Sequence, residues 1–171
     1  MSQAVTLRGL QVGDIGWVAH RQGILYAQEY GWDGTFEALV AEIAAQFVKN
    51  FDPAWENAWI AECDGRILGS VFLVKVSEQE AKLRLLYVEQ EARGTGLGRR
   101  LTHECIAFAR THGYQKLSLW TNDILRAARR IYQEAGFLLE SEEPHHSFGV
   151  DLIGQYWMLN LQTPHSQGSV S

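Results

Sequence analysis

The stretch "LLYVEQEARGTGLGRRL", Leu85 to Leu101, carries the fold in its order of residues. An apolar run of strand character ends at Glu89, and Gly94, Gly96 and Gly98 then alternate between Arg93 and the Arg99-Arg100 pair, ahead of a helical pattern. Bare glycines in a loop that enters a helix let successive backbone N–H groups converge on an anion, and the positive helix end adds to the attraction. A dinucleotide fingerprint would need GxGxxG after the first strand of a βαβ unit, with an acid about twenty residues on. A P-loop would need Lys-Ser or Lys-Thr after its last glycine. Neither pattern is present. What remains is a cradle for a pyrophosphate, or simply a flexible turn from strand to helix.

Working outward, "AKLRLLYVE" is the third strand of an antiparallel meander whose first two strands lie in "AWIAECDGRILGSVFLVKV", with Asp64-Gly65 as the tight hairpin turn. Upstream stand a short strand, "VTLRGL", and two helices, about Gly13 to Glu29 and Thr35 to Asn50. In the second helix Phe36, Leu39, Val40, Ile43, Ala44 and Phe47 form one apolar face that should cover a sheet. Downstream, Leu97, Leu101, Cys105, Phe108 and Ala109 line one side of a helix ending near His112-Gly113. "YQKLSLWTN" then reads as a strand reached by a parallel crossover. "DILRAARRIYQEAGF" is a helix stopped by Gly136. Two last strands, "FLLESEE" and "IGQYWMLNL", flank a loop, "PHHSFGVDL". The fold class is α+β. Residues 1–162 form one domain, and 163–171 a polar, flexible tail.

Size and charge bound the function. A chain of 171 residues, 46% hydrophobic, could bury roughly 70% of its unfolded surface in one core. A formal net charge of -5 disfavours a nucleic-acid partner, and no apolar stretch is long enough for a membrane span or shaped as a signal peptide. Two cysteines without CxxC spacing suggest neither zinc nor an oxidising compartment, so a cytoplasmic location is expected. The composition is compatible with a homodimer.

A cradle of this kind also holds coenzyme A, and the motif is more specific than its glycines. Arg93, Gly96 and Gly98 match the Arg/Gln-x-x-Gly-x-Gly signature of the GNAT superfamily of N-acetyltransferases. "NDILRAARRIYQEAGF" resembles that family's second block, with Asn122, Tyr132, Gly136 and Phe137 in its characteristic places. The order of elements is also that family's, so the resemblance covers roughly Val5 to Leu161. The segments "LYAQEYGWD" and "EEPHHSFGVDL" further resemble acetyltransferase domains fused elsewhere to MarR-type regulators.

The resemblance implies a mostly antiparallel sheet with a splayed parallel pair, and acetyl-CoA as cosubstrate without a metal. It implies that backbone groups of Leu86, Tyr87 and Val88, on a bulged strand, pair with the pantetheine arm. Arg93, Gly94, Thr95, Gly96, Leu97, Gly98 and Arg99 would surround the pyrophosphate, with Ala128 on the facing helix. From the residues alone, Arg99 and Arg100 could equally be solvated helix charges. Asn122 would bind pantetheine or hold the splayed strand end, or serve as the N-cap of the following helix.

Tyr132 is the candidate general acid. Acyl transfer from a thioester expels a thiolate whose conjugate acid, if like cysteine, has a pKa of about 8.5, and a phenol can donate a proton there. Its spacing also suits an aromatic packed in the core. The acceptor amine, if lysine-like, is neutral in about one molecule in 2500 at pH 7, so some base should stand near. Glu89, just past the cofactor strand, is a candidate, as are Glu29, His20, His145 and His146, and no motif places any of them. Glu29, Tyr30, Trp32, His145 and His146 are expected to frame the acceptor pocket, an amine of a small molecule or peptide. The acids around them, Glu29, Asp33, Glu142, Glu143 and Asp151, would suit an amine on an apolar or cationic body. His145-His146 lacks a third ligand at metal spacing. The rival to an enzyme is a coenzyme A-binding or sensing module without turnover.

Overall fold

The computed structural model describes residues 4–162. The expected tail, 163–171, lies outside the described residues. The chain runs β1 (Thr6–Arg8), α1 (Asp14–Tyr30), α2 (Gly34–Lys49), β2 (Asn57–Cys63), β3 (Arg66–Lys75), β4 (Glu80–Val88), a 3₁₀ turn (Gln90–Ala92), α3 (Leu97–Thr111), β5 (Lys116–Asn122), α4 (Arg126–Ala135), β6 (Leu138–Ser147) and β7 (Val150–Asn160). The strands form one sheet in the order β1-β2-β3-β4-β5-β7-β6. All neighbours are antiparallel except β4 and β5, which are parallel because α3 intervenes between them.

Each face of the sheet has its own core. On one side Val71, Leu73, Leu83, Leu117, Leu119 and Trp157 pack against the apolar stripes of α3 and α4. On the other, Ile60 and Phe72 meet Val18, Phe36, Val40 and Phe47 of α1 and α2, as the apolar face read in α2 requires, except that Leu39 of that reading is exposed. Asp33 caps α2 by accepting from the N–H of Thr35.

The feature that positions the site is a bulge in β4. Ser70 lies opposite Tyr87 and Phe72 opposite Arg84, so Leu85 and Leu86 together oppose Val71, and Leu85 takes φ 53. An αL conformation at a non-glycine residue costs about 1–3 kcal/mol, and is held here by the pairing on both sides of it. Parallel pairing with β5 is confined to Glu80–Lys82 against Lys116–Ser118. Beyond that point β5 pairs only with β7, and the two strands part.

Two expectations are corrected. "PHHSFGVDL" is not a loop: β6 continues through Pro144, His145 and His146, with His145 opposite Leu152 and His146 opposite Asp151, and only Phe148-Gly149 turns. β6 is an edge strand, where a proline costs no ladder hydrogen bond if its nitrogen faces outward, and its charged, exposed residues hid the strand pattern. Nor is Asn122 a helix N-cap. It is the last residue of β5, and the N-cap position of α4 belongs to Leu125, without a side-chain cap.

Candidate active site

Where β4 and β5 part, a cleft of about 410 Å³ opens. Its walls are Leu86, Tyr87 and Val88 of β4, the loop from Ala92 to Gly96, the first turns of α3 and α4, and Tyr26 and Tyr30 of α1. Two helix N-termini therefore face one space, and each contributes N–H groups with no partner inside its own helix. Of the residues expected to hold the cofactor, Leu86, Tyr87, Val88, Arg93, Gly94, Gly96, Leu97, Gly98, Arg99 and Ala128 all line this cleft.

The glycines serve different ends. Gly96, at the N-cap of α3, takes φ 87, and a Cβ there would meet nothing within 4 Å. Backbone conformation demands glycine, and the space before it is open to a ligand. Gly98 instead allows close packing, since its Cβ would come 2.7 Å from Ile131 Cδ1 on α4. Thr95 turns its hydroxyl back onto the carbonyl of Ala92 at 2.5 Å, which pins the loop. Arg93 pairs with Glu29 at 2.7 Å, and Arg99 with Glu134. Arg100 donates to the carbonyl of Val5, separate from the cleft. Open space, converging N–H groups and three arginines in the wall, Arg93, Arg99 and Arg130, fit a pyrophosphate-bearing ligand.

Tyr132 is 5% exposed and packs edge-on against Phe137, with centroids 5.8 Å apart. It is not part of the cleft wall, although Ile131 and Ala128 beside it on α4 are. Burial pushes its phenol well above the ordinary tyrosine range, so it holds its proton throughout neutral pH. Glu89 is buried in a two-pronged pair with Arg21, at 2.6 and 2.9 Å. Tyr87 packs on Trp17 and Tyr26 beside that pair, its phenol pushed up to about 12 by burial.

On the opposite side, Asn122 Oδ1 accepts from His145 Nε2 at 2.8 Å, and His145 Nδ1 lies 2.9 Å from the Ser147 hydroxyl. His145 donates through Nε2, so in the neutral ring Nδ1 accepts from Ser147. The α1–α2 junction meets the β6–β7 hairpin: Asp33 N–H donates to the Phe148 carbonyl at 3.0 Å, and Trp32 lies 4.9 Å from Phe148, centroid to centroid. Tyr30 stands at the edge of this cluster, 5.5 Å from Trp32, and lines the cleft. His146 faces outward to Asp151 at 2.8 Å. No group of three or more His, Cys, Asp or Glu placed to hold a metal occurs among the described residues.

Several wall residues escaped the sequence reading. Arg130, Ala127 and Ile131 carry only the signature of an amphipathic helix, and Leu125 that of a turn. Arg21 lies 68 positions from its partner Glu89, with no local signal linking them.

The bulged strand, its parting neighbour and the glycine loop at the mouth of the cleft are joined by agreement with a family of known proteins. Residues 25–137 match the model of the acetyltransferase (GNAT) family, to which the chain belongs. It is 30% identical over 121 residues to the probable N-acetyltransferase camello of Xenopus tropicalis, which covers 67% of this chain and 55% of that protein. It is 26% identical over 161 residues to spermidine N(1)-acetyltransferase of Escherichia coli strain K12, covering 91% of this chain and 82% of that one. The chain spans about half the length of some of the curated relatives it matches. A Salmonella typhimurium acetyltransferase solved with its cofactor acetyl-CoA shares the fold at a TM-score of 0.71 and 17% identity, covering 98% of this chain and 99% of that chain.

Proposed function

We propose that the protein is an acetyl-CoA-dependent N-acetyltransferase that moves the acetyl group directly to a primary amine of a small molecule or peptide. The observation that carries this is the parting of β4 from β5 at the Leu85–Leu86 bulge, with the cleft it opens ending on the Gly94–Gly98 loop. Bound acetyl-CoA supplies the acetyl thioester. Arg93, Gly94, Thr95, Gly96, Leu97, Gly98 and Arg99 hold its pyrophosphate, and Leu86, Tyr87, Val88, Asn122 and Ala128 its pantetheine arm. The β4 backbone beside the bulge faces away from any strand partner toward β5, and so has N–H groups to offer a developing oxyanion.

Tyr132 keeps its proton on the phenol oxygen at neutral pH, the state a general acid requires. Each oxygen of Glu89 retains a lone pair while it accepts from Arg21, and Glu89 receives the amine's proton. Glu29, Tyr30, Trp32, His145 and His146 frame the acceptor, from the α1–α2 junction and the β6–β7 hairpin. These two segments are the ones whose sequences resemble acetyltransferase domains fused to MarR-type regulators, and they meet through Asp33 and Phe148. We take residues 1–162 as one domain acting in the cytoplasm, alone or as a homodimer, without nucleic acid or membrane as partner. No helix among the described residues is long and apolar enough to cross a membrane.

The test is release of free thiol from acetyl-CoA with a panel of primary amines. Amine-dependent release supports transfer. Tight acetyl-CoA binding without release would make the protein a coenzyme A-binding or sensing module.

A further inference from the structure

α1 and α2 cover β2, β3 and the Leu152 end of β7, and leave parts of the same face uncovered farther along β5, β7 and β6. Trp120 and Leu138 are exposed there, at 42% and 72%. On β4, Lys82 and Arg84 alternate with buried Ala81 and Leu83, whose side chains join the α3 core. Lys82 and Arg84 therefore stand on the bare face. Glu80 on that face already accepts from the hydroxyls of Ser118 and Tyr156, at 3.0 and 3.3 Å.

Lys82 and Arg84 are half-buried, and among the described residues neither forms a salt bridge or a side-chain hydrogen bond. The other half-buried arginines of the sheet region are engaged, Arg8 by Asp14 and Glu62, and Arg21 by Glu89. A half-buried cation without a counter-charge costs stability, and desolvation lowers the pKa of both groups; the Glu80 carboxylate offsets part of this at Lys82, and no carboxylate does so at Arg84. Meanwhile four of the five acids expected to attract a cationic acceptor have partners within the fold, and among the described residues Glu143 has none. Glu29 is held by Arg93 and Gln90, Glu142 by Gln155, Asp33 by Thr35, and Asp151 by His146. Arg84 is the half-buried cation on this face that, among the described residues, no carboxylate meets.

Arg84 is also the last residue before the bulge, where β4 and β5 begin to part. Across that gap Trp120 lies on the backbone of β7 at Gly154, where an added Cβ would come 2.0 Å from the indole Cζ2. The missing side chain lets the indole lie against the β7 backbone, and the ring stays 42% exposed. We propose that Arg84, seconded by Lys82, is a carboxylate subsite, and that the acceptor is a free α-amino acid with an apolar side chain resting on Trp120. This rests on the acyl-transfer reading above, and gives the amine and the carboxylate of one small zwitterion separate holds on either side of the bulge.

The experiment compares leucine with leucinamide and isoamylamine, which keep the side chain and lack the carboxylate, and with spermidine, by thiol release at saturating acetyl-CoA. Leucine is expected to exceed the other three in kcat/KM by about 10- to 100-fold, the range for a charge-assisted pair in a half-buried site. Arg84→Gln should collapse the leucine-to-isoamylamine ratio toward one through KM for leucine. Arg84→Lys, which keeps charge and stem, should retain part of the ratio, and serves if the glutamine variant does not fold. Equal use of leucine and isoamylamine, a preference for spermidine, or a ratio unmoved by both variants overturns the proposal. If no amine releases thiol, the transfer reading fails on its own. Calorimetric titration of the coenzyme A-loaded protein then decides the subsite: leucine binding lost in Arg84→Gln sustains it, and equal binding of leucine and isoamylamine overturns it.

Discussion

A single hydroxyl separates two readings of Tyr132. Tyr132→Phe keeps the ring and its edge-on contact with Phe137, so a general acid loses rate by about 10²- to 10⁴-fold with acetyl-CoA affinity unchanged. Single-turnover measurement of the chemical step checks this, and wild-type rates would leave Tyr132 a core aromatic. Gly96→Val tests the cradle. Its Cβ meets no protein atom, so the variant's cost has two parts: the strain of a β-branched residue at φ 87 and the side chain placed in the ligand's space. Acetyl-CoA affinity by calorimetry should fall at least about tenfold, the equivalent of ~1.4 kcal/mol, while the folded structure persists. Unchanged affinity would mean that the glycine serves only the turn.

At the scale of elements, β7 and β5 are fitted to each other through one missing side chain. Gly154→Val drives its Cβ into Trp120 and should cost about 1–3 kcal/mol by overpacking, read as a lower urea midpoint. Trp120→Ala in the same chain should restore most of that loss, and a cycle without coupling would show that Trp120 swings aside freely. The bulge in β4 belongs to this scale too. "LRLLYVE" reads as an unbroken apolar strand, because a bulge adds one residue without changing residue type, and only the register against β3 reveals it. The final hairpin was misread for a related reason: an edge strand takes its backbone bonds from one neighbour and needs no apolar alternation, so Pro144, His145 and His146 look like a loop.

For the whole molecule, burial of tyrosines sets an alkaline limit. Tyr87 and Tyr114 are pushed up to about 12 by burial, and Tyr26 and Tyr132 are raised further, whereas an unfolded chain titrates these groups at about 10. Below about pH 10 both states keep the protons and the contribution to stability is complete; above it the unfolded chain releases protons that the folded chain holds, and stability falls. The Tm should be flat toward pH 9.5 and decline steeply by pH 11, with a shallower decline in Tyr114→Phe. A flat profile to pH 11.5 would contradict the burial. The sequence by itself determined the order of strands and helices, the Asp64-Gly65 hairpin, the parallel crossover after the glycine loop, and most of the residues that line the cleft. Each of these is written locally, in periodicity, turn residues or a short motif whose members lie within a few positions of one another. Tertiary structure alone decided which charges were satisfied and which were left over. It closed Glu29 onto Arg93, Glu89 onto Arg21 and Asn122 onto His145, partners 64, 68 and 23 residues apart, and among the described residues left Arg84 and Lys82 without a salt bridge. The physical reason is that pairing is fixed by strand register and the splay of a sheet, which sum contacts from distant segments.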